Sequence, residues 1–363
     1  MANAAQPMPA APTDSTRGTL PAEALLPRGG RVLVVRLSAL GDILFALETV
    51  AALHRDRPDA VIDFLVEDRF AALLQGHPHL AEVIVYPRRR RLTIPRSLLA
   101  LRARRYDVVL DLHGILKSAL HVGFARGRTK LGADAPAARE GSQRVLHRKV
   151  AMPDPLPHRA DLGHLLLREL GLSGAPAAPL LPATPPPEDL FAGLPQPLVL
   201  LHPGTSAFAA FKRWPLSHFT ELAQQLAARG LGVAVGYGPG EAELVAPLLA
   251  AVPAARGLDG SKLGLRGLAG AMAQCALVVA ADTGPLHIAA AVGVPCVALF
   301  GPKDPQRYGP RAHGGLRHEI LYHDVPCRPC KRRDCATPQC VLGIPVAEVL
   351  AAILRQLAAR GPR

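Results

Sequence analysis

Residues 31–42, Arg31-Val32-Leu33-Val34-Val35-Arg36-Leu37-Ser38-Ala39-Leu40-Gly41-Asp42, decide the fold of this chain. The segment begins with a short apolar run between two arginines, which predicts a buried strand. The small residues that follow predict a tight turn, and residues 43–54 then place Leu44, Leu47 and Val50 on one face at helical spacing. A buried strand, a turn and an amphipathic helix predict the first unit of a parallel α/β sheet.

The same alternation recurs in two series along the chain. Further apolar segments that predict strands lie at residues 61–66, 82–86 and 108–112, and then at 198–202, 232–236, 276–280 and 297–300. The two series indicate two successive α/β domains with a cleft between them. Ligands of such sheets bind at the carboxyl ends of the strands.

A stretch rich in proline and alanine separates the two series and predicts the domain boundaries. We expect an N-terminal Rossmann-like domain, a linker, a C-terminal Rossmann-like domain and a final helix that packs back toward the N-terminal domain. Their predicted bounds are 31–180, 181–196, 197–345 and 346–363. Residues 1–30 lack the pattern of a secretory signal and are predicted to be a mobile leader.

The composition limits the possible partners. Hydrophobic residues make up 49% of the 363 residues, enough for two cores, and the net charge is +13. This charge favours an anionic partner: nucleic acid, a membrane surface or a phosphorylated substrate. The alternative explanation is solubility in an arginine-rich composition. Residues 283–302, one of the longest stretches without charged residues, contain prolines and a histidine, which argues against a membrane-spanning helix.

Three segments with polar residues follow predicted strands. They are Ser38 to Asp42, His202 to Thr205 with Lys212-Arg213-Trp214-Pro215, and Ala281 to His287. Basic side chains and free amides at a helix start can hold phosphate oxygens. Each segment also has a structural alternative, namely a helix cap or a basic surface loop. These turns carry no Gly-x-Gly-x-x-Gly or Walker A motif, so dinucleotide redox chemistry and P-loop ATP hydrolysis lose most of their support.

Together these motifs resemble glycosyltransferase family 9, the lipopolysaccharide heptosyltransferases. The matching segments, in the family's order, are residues 31–42, 212–215, 282–287 (Asp282-Thr283-Gly284-Pro285-Leu286-His287) and 300–305 (Phe300-Gly301-Pro302-Lys303-Asp304-Pro305). The resemblance implies an α/β fold of GT-B architecture, in which two Rossmann-like domains enclose a cleft. It also implies an enzyme that transfers heptose from ADP-heptose with inversion, and that needs no metal for the chemistry.

The resemblance further assigns roles to individual residues. Asp42 occupies the position of the family's catalytic base, with Asp111 and Glu140 as rival carboxylates. The C-terminal half is implied to bind the donor through Thr205, Lys212, Glu241, Asp282, Thr283, Gly284 and His287. The N-terminal half is implied to bind the anionic acceptor through Ser38, Gly41, Arg88, Lys117, Arg139 and Glu140.

The acceptor and the location follow from smaller features. Residues 111–119 and 138–140 resemble heptosyltransferase I, which adds the first heptose to Kdo-lipid A, whereas the cysteine-rich segment 327–340 is more typical of other branches, including heptosyltransferase II-like members. A different acceptor or sugar is therefore the alternative. We expect a cytoplasmic enzyme held peripherally on the anionic inner face of the cytoplasmic membrane, where the arginines at 88–91 contact lipid headgroups.

The cysteines at the C-terminal end allow two interpretations. Cys327, Cys330, Cys335 and Cys340 have spacings in which only the first pair matches a zinc knuckle. They form either a structural zinc site or a set of reduced thiols in a loop. The non-enzyme alternative is a basic zinc-knuckle protein that binds nucleic acid. Because aromatic residues make up only 4% of the chain, base-stacking platforms are scarce and no nucleic-acid partner is expected.

Overall fold

The computed structural model describes residues 25–88 and 94–360, and these residues form two parallel sheets of six strands each. The N-terminal sheet contains β1 Arg31–Val35, β2 Val61–Glu67, β3 Glu82–Tyr86, β4 Arg105–Asp111, β5 Arg126–Ala133 and β6 Arg148–Val150. The C-terminal sheet contains β7 Leu198–His202, β8 Gly232–Tyr237, β9 Ala255–Asp259, β10 Leu277–Ala281, β11 Cys296–Leu299 and β12 Glu319–Leu321. The predicted α/β fold with two Rossmann-like domains is therefore confirmed.

The strand orders are β3-β2-β1-β4-β5-β6 and β12-β11-β10-β7-β8-β9. The sequence does not predict β5, β6, β9 or β12, which lie at or next to the margins of the sheets. β5 carries three basic residues and two glycines, and β6 and β12 are three residues long. Strands near a margin are less enclosed by neighbours, so they lack the continuous apolar runs that reveal the central strands.

Twelve helices cover the two sheets within the described residues. Those of the N-terminal half are α1 Leu40–Asp56, α2 Asp68–Leu74, α3 Ile94–Ala103, α4 Leu116–Phe124 and α5 Asp161–Glu169. Those of the C-terminal half are α6 Leu216–Ala227, α7 Ala242–Ala251, α8 Gly260–Ala273, α9 Gly284–Ala291, α10 Pro305–Tyr308, α11 Gln339–Leu342 and α12 Val346–Arg360. Two short 3-10 helices lie at Ser142–Val145 and Ala207–Lys212. None of the helices found between residues 25 and 360 combines the length and apolarity needed to cross a bilayer.

The C-terminal helix differs from its expected packing. α12 lies against α6, β10 and β11, and its buried residues belong to the core of the C-terminal domain. Val349 and Ile353 are fully buried there, and the indole nitrogen of Trp214 donates to the carbonyl oxygen of Ile344 just before the helix, at 2.9 Å. The expectation that this helix packs toward the N-terminal domain is therefore wrong, because its apolar face completes the core of its own domain.

The predicted leader also needs a correction. Residues 1–24 lie outside the described residues, but Leu25 and Leu26 are buried in the N-terminal core. The guanidinium of Arg57 donates to the carbonyl oxygens of Leu26 and Pro27 at 2.6 and 2.8 Å. Residues 25–30 are therefore part of the folded domain, since a pair of leucines before β1 has apolar surface to bury.

The two domains meet where α1 and α9 begin. Each helix starts at the carboxyl end of a central strand, β1 or β10. A Cβ atom on Gly41 would lie 2.5 Å from Cδ2 of His287, and a Cβ atom on Gly284 would lie 2.6 Å from Cδ2 of Leu40. A larger residue at either point would have to displace a side chain of the opposite domain. The close approach brings the carboxyl ends of both sheets to one cleft.

Candidate active site

The N-terminal side of the cleft is centred on Asp42, in the first turn of α1. Its carboxylate pairs with Nη2 of Arg36 at 2.5 Å and with Nε of Arg159 at 3.1 Å. Arg36 is buried, whereas the Asp42 side chain keeps 24% of its surface exposed toward the cleft. Burial by itself raises the pKa of Asp42, but the two guanidinium groups outweigh it and hold the pKa well below its usual range. Asp42 is therefore ionised at neutral pH and can accept a proton.

Arg159 ties this carboxylate to the C-terminal domain. While its side chain holds Asp42, its backbone N–H donates to the carbonyl oxygen of Arg307 at 3.0 Å. The neighbouring His158 contacts the carbonyl oxygen of Gly309 through Nε2 at 3.0 Å. The position of Asp42 therefore depends on how the two domains sit together.

A second buried network joins the domains beside this position. Glu48 of α1 lies 3.7 Å from His164, 3.4 Å from His313 and 3.6 Å from Arg311. Burial acts to raise the pKa of Glu48, but the nearby side chains of His164 and His313 and the charge of Arg311 lower it to about 2. Arg311 also pairs with Asp161 of α5 at 2.5 Å. These charges connect α1 and α5 to a loop of the C-terminal domain.

Two of the basic residues expected to bind the acceptor, Arg88 and Lys117, lie around Glu67 at the end of β2. Its side chain is fully buried and pairs with Lys117, with Arg69 at 2.9 Å and with Arg88 at 3.5 Å. Sequence reasoning missed Glu67 and Arg69, although a glutamate that ends an apolar strand was a usable signal. Three cations around one carboxylate leave a net positive charge, which suits an anionic ligand. Arg89, Arg90 and Arg91 lie outside the described residues.

The two rival carboxylates have structural partners. Asp111, at the end of β4, is buried and accepts hydrogen bonds from the backbone N–H groups of His113 and Gly114 at 3.0 and 3.1 Å. Burial raises its pKa. Glu140 accepts the backbone N–H of Leu116 at 3.0 Å and so caps the start of α4. Neither rival carboxylate forms an ion pair in the described residues, whereas Asp42, which also accepts the backbone N–H of Ala39 at 3.4 Å, pairs with two arginines.

The remaining expected acceptor residues lie around the same turns. The backbone N–H of Arg139 donates to the carbonyl oxygen of Gly114 at 2.9 Å, which holds the Arg139–Glu140 loop beside α4. Ser38 lies in the turn between β1 and α1, and Gly41 packs against His287. The structure therefore brings Ser38, Gly41 and Asp42 together at the cleft, and Arg88 with Lys117 at the adjacent strand end.

The C-terminal side of the cleft is centred on Asp282, which follows β10. Nζ of Lys212 lies 2.5 Å from its Oδ2 and 3.3 Å from its carbonyl oxygen, and Nε2 of His287 lies 3.8 Å from Oδ1. Burial acts to raise the pKa of Asp282, but His287 and Lys212 lower it. Thr283 is the N-cap of α9, and its hydroxyl donates to the carbonyl oxygen of Ala281 rather than capping the helix. The first amides of α9 therefore stay available to an anion.

Two further expected donor residues flank this centre. The hydroxyl oxygen of Thr205 accepts a hydrogen bond from Nε of Arg213 at 2.9 Å, which fixes the loop after β7. The Glu241 carboxylate accepts the backbone N–H of Gly238 at 2.7 Å, and a Cβ atom on Gly204 would lie 2.2 Å from its Oε2. Glu241 therefore lies directly over the loop after β7. All seven expected donor residues are at or next to carboxyl ends of C-terminal strands.

The four cysteines of the C-terminal segment are not assembled into a ligand set. Cys327 is exposed, Cys330 and Cys335 are partly exposed, and Cys340 is buried. Within residues 25–88 and 94–360, no group of three or more histidine, cysteine or acidic side chains is arranged to hold a metal ion. The zinc hypothesis thus gains no support from the arrangement of these thiols.

Two six-stranded parallel sheets whose carboxyl ends face one cleft form the GT-B architecture. The chain belongs to glycosyltransferase family 9, whose model, described as "Glycosyltransferase family 9 (heptosyltransferase)", matches residues 96–341. The resemblance stated from the motifs is thereby confirmed. Membership of this family gives no support to the nucleic-acid-binding alternative.

Similar proteins cover most of the chain. It is 33% identical over 326 residues to lipopolysaccharide heptosyltransferase 1 of Pseudomonas aeruginosa, covering 84% of this chain and 87% of that protein. It is 29% identical over 330 residues to lipopolysaccharide heptosyltransferase 2 of Salmonella typhimurium, covering 81% and 90%. The E. coli heptosyltransferase WaaC, solved with ADP-2-deoxy-2-fluoro heptose, has a TM-score of 0.70 at 25% identity and covers 92% of this chain and 100% of its own.

Proposed function

We propose that this protein transfers heptose from ADP-heptose to the Kdo/inner-core region of lipopolysaccharide, with Kdo-lipid A as acceptor and inversion at the sugar carbon. The observation that carries the proposal is that an ionised Asp42 lies across one cleft from Lys212 and the first amides of α9, which suit a diphosphate. The chain is also 33% identical to a heptosyltransferase 1 over most of its length. The 29% identity to a heptosyltransferase 2 supports the second candidate, an acceptor that already carries one heptose.

In the proposed reaction, a hydroxyl oxygen of the acceptor attacks the anomeric carbon of the heptose. The new carbon–oxygen bond forms as the bond from that carbon to the diphosphate oxygen breaks, and ADP leaves with the bonding electrons. Asp42 takes the hydroxyl proton as the general base. This role requires its carboxylate to lie within about 3 Å of the hydroxyl. Lys212 and the first amides of α9 stabilise the charge that develops on the diphosphate.

The other residues hold the two substrates. Asp282 and His287 orient Lys212 and the donor sugar, and Glu241 and Thr205 line the side where the nucleoside extends. Arg88, Lys117 and Arg139 supply positive charge to Kdo carboxylates and lipid A phosphates. No metal is needed in this scheme, since lysine and helix amides supply the charge, and the zinc hypothesis remains open to metal analysis. The acceptor is a membrane lipid, so we propose that the protein works peripherally on the inner face of the cytoplasmic membrane.

A transfer assay with two acceptors tests the proposal. Purified protein is mixed with ADP-heptose and either Kdo-lipid A or heptosylated Kdo-lipid A, and mass spectrometry measures the product. One added heptose on Kdo-lipid A alone is the expected result. Transfer only to the heptosylated acceptor would favour the second candidate, and transfer to neither acceptor would refute both.

A further inference from the structure

Helix α4 exposes apolar side chains where a surface helix normally presents polar ones. Leu116, Leu120 and Phe124 follow one another at intervals of four residues and are 63%, 46% and 42% exposed. The polar Ser118 and His121 of the same helix are instead fully buried. The apolar stripe therefore runs along the outer face of α4, where its exposure to water is unfavourable.

The neighbouring helix extends this surface. α3 packs against α4, and its Leu99 is 65% exposed, which makes it one of the most exposed large apolar side chains in the described residues. We call Leu99, Leu116, Leu120 and Phe124 the apolar face. Four large apolar side chains exposed on two adjoining helices form a patch of the kind that marks an interaction site.

Exposed basic residues of α3 and β5 lie close in sequence to the apolar face. Between residues 94 and 130 the only acidic residues are Asp107 and Asp111, and Asp111 is buried. Arg96, Arg102, Arg126 and Arg128 are exposed, and no ion pair joins them to an acidic side chain in the described part of the chain. Lys130 donates to the carbonyl oxygen of Gly123 at 2.9 Å, which places a cation at the C-terminal end of α4.

The apolar face also begins at the cleft. Leu116 is adjacent to Lys117, whose ammonium group pairs with Glu67 at the carboxyl end of β2. The backbone N–H of Leu116 donates a hydrogen bond to the carboxylate of Glu140 at 3.0 Å. A molecule whose anionic head lies near Lys117 therefore meets the apolar face directly beside it.

We propose that the apolar face and the basic residues of α3 and β5 form the surface by which this protein docks on an anionic phospholipid bilayer. Leu120 and Phe124 enter the boundary between headgroups and acyl chains, while the exposed arginines contact lipid phosphates. A bilayer fits better than a protein partner because exposed basic residues of α3 and β5 outnumber the acidic residues near the apolar face, where Glu140 lies at the start of α4. The inference names the surface behind the proposed peripheral location and in that respect rests on the proposed function.

Vesicle binding tests the surface without the acceptor. The full chain and its Leu120→Gln/Phe124→Gln variant are floated with vesicles of phosphatidylethanolamine and phosphatidylglycerol, and with vesicles of phosphatidylcholine alone. We expect the wild-type chain to bind the anionic vesicles, and the variant to bind them at least about tenfold more weakly, because two inserted apolar side chains are lost. Leu354→Gln, on the exposed face of α12, is the matched control and should bind like wild type.

Two further measurements keep the outcomes distinct. Transfer to a deacylated, water-soluble acceptor should be equal in wild type and variant, so a failed heptosyl-transfer assay would refute the proposed function and not the docking surface. Equal flotation of both chains would overturn the docking surface. A wild-type dimer that becomes a monomer in the variant, with unchanged flotation, would assign the face to a second copy instead. Should the double variant melt early, Leu99→Gln replaces it.

Discussion

Both sides of the cleft place an aspartate at the start of a helix, yet they neutralise its charge differently. Asp42 pairs with two arginines, whereas Asp282 pairs with Lys212 and lies 3.8 Å from His287. Burial lowers the pKa of Arg36 to about 10, which still leaves its guanidinium group charged at neutral pH. A lysine is a compact charge on a flexible stem, and a histidine carries charge only when it is protonated.

The difference indicates a division of labour. A proton acceptor must stay ionised and in place, and two fixed guanidinium groups keep Asp42 in that state. A donor site must instead turn its cation toward an incoming diphosphate, which the flexible Lys212 can do while Asp282 keeps it near α9. In the proposed reaction, the N-terminal side of the cleft therefore acts as the fixed ionic arrangement and the C-terminal side as the adaptable one.

Loss of the N-terminal carboxylate should have the largest effect. Asp42→Asn preserves the shape of the side chain and removes the base, so turnover should fall by about 10² to 10⁴ while ADP affinity is unchanged. Steady-state kinetics and calorimetry with ADP measure the two effects. Glu140→Gln serves as the comparison and should lower turnover far less. An Asp42→Asn protein that keeps near wild-type turnover would end its assignment as the base.

Loss of the C-terminal cation should act on binding. Lys212→Ala removes a charge-assisted contact with the diphosphate, which contributes about 1.5 to 3 kcal/mol, so ADP should bind roughly 10 to 150 times more weakly. Calorimetry measures the affinity, with Lys149→Ala on the exposed edge strand β6 as control. Unchanged ADP affinity in Lys212→Ala would remove this lysine from the donor site.

The arginine pair of Asp42 predicts a pH effect. Because the pKa of Asp42 is lower in the folded chain than in the unfolded chain, its ion pairs stabilise the fold above the ordinary aspartate pKa, and this contribution is lost as the pH falls through the folded value. Arg159→Met removes one cation, so the acidic limb of the turnover profile should move to higher pH. A limb at the wild-type position would show that Arg159 does not set the charge of Asp42.

Metal removal should have the smallest effect. Since Lys212 and the amides of α9 supply positive charge to the diphosphate, a chelator should leave the transfer rate within about twofold and the melting temperature unchanged. Elemental analysis of the purified protein accompanies the assay. About one equivalent of zinc, together with a lower melting temperature after chelation, would instead support the hypothesis that Cys327, Cys330, Cys335 and Cys340 bind it.

Much of the fold was predictable because the central strands are continuous apolar runs. β1, β4, β7 and β10 are buried on both faces, and their composition reveals them. The strands at or next to the margins, β5, β6, β9 and β12, carry no such pattern. The packing of α12 was mispredicted for a related reason: an amphipathic helix reveals that it has an apolar face, but the face does not say which domain it covers.

The candidate site was predictable where a residue lies in a motif next to a strand. Asp42, Lys212 and Asp282 were found in this way, and the structure places all three at the cleft. Arg159 and Glu67 were missed, since Arg159 is 117 residues from its partner Asp42 and Glu67 is 50 residues from Lys117. Such ion pairs are set by the tertiary structure, which no local pattern encodes. The exposed stripe of α4 was missed because Leu116, Leu120 and Phe124 have the spacing of core residues.

A crystal structure of the chain with a non-transferable ADP-heptose analogue and Kdo-lipid A would test the division of labour most directly. Our account predicts the diphosphate against Lys212 and the start of α9, with the acceptor hydroxyl about 3 Å from the Asp42 carboxylate. A hydroxyl placed instead on Asp111 or Glu140, with Asp42 still enclosed by Arg36 and Arg159, would contradict it.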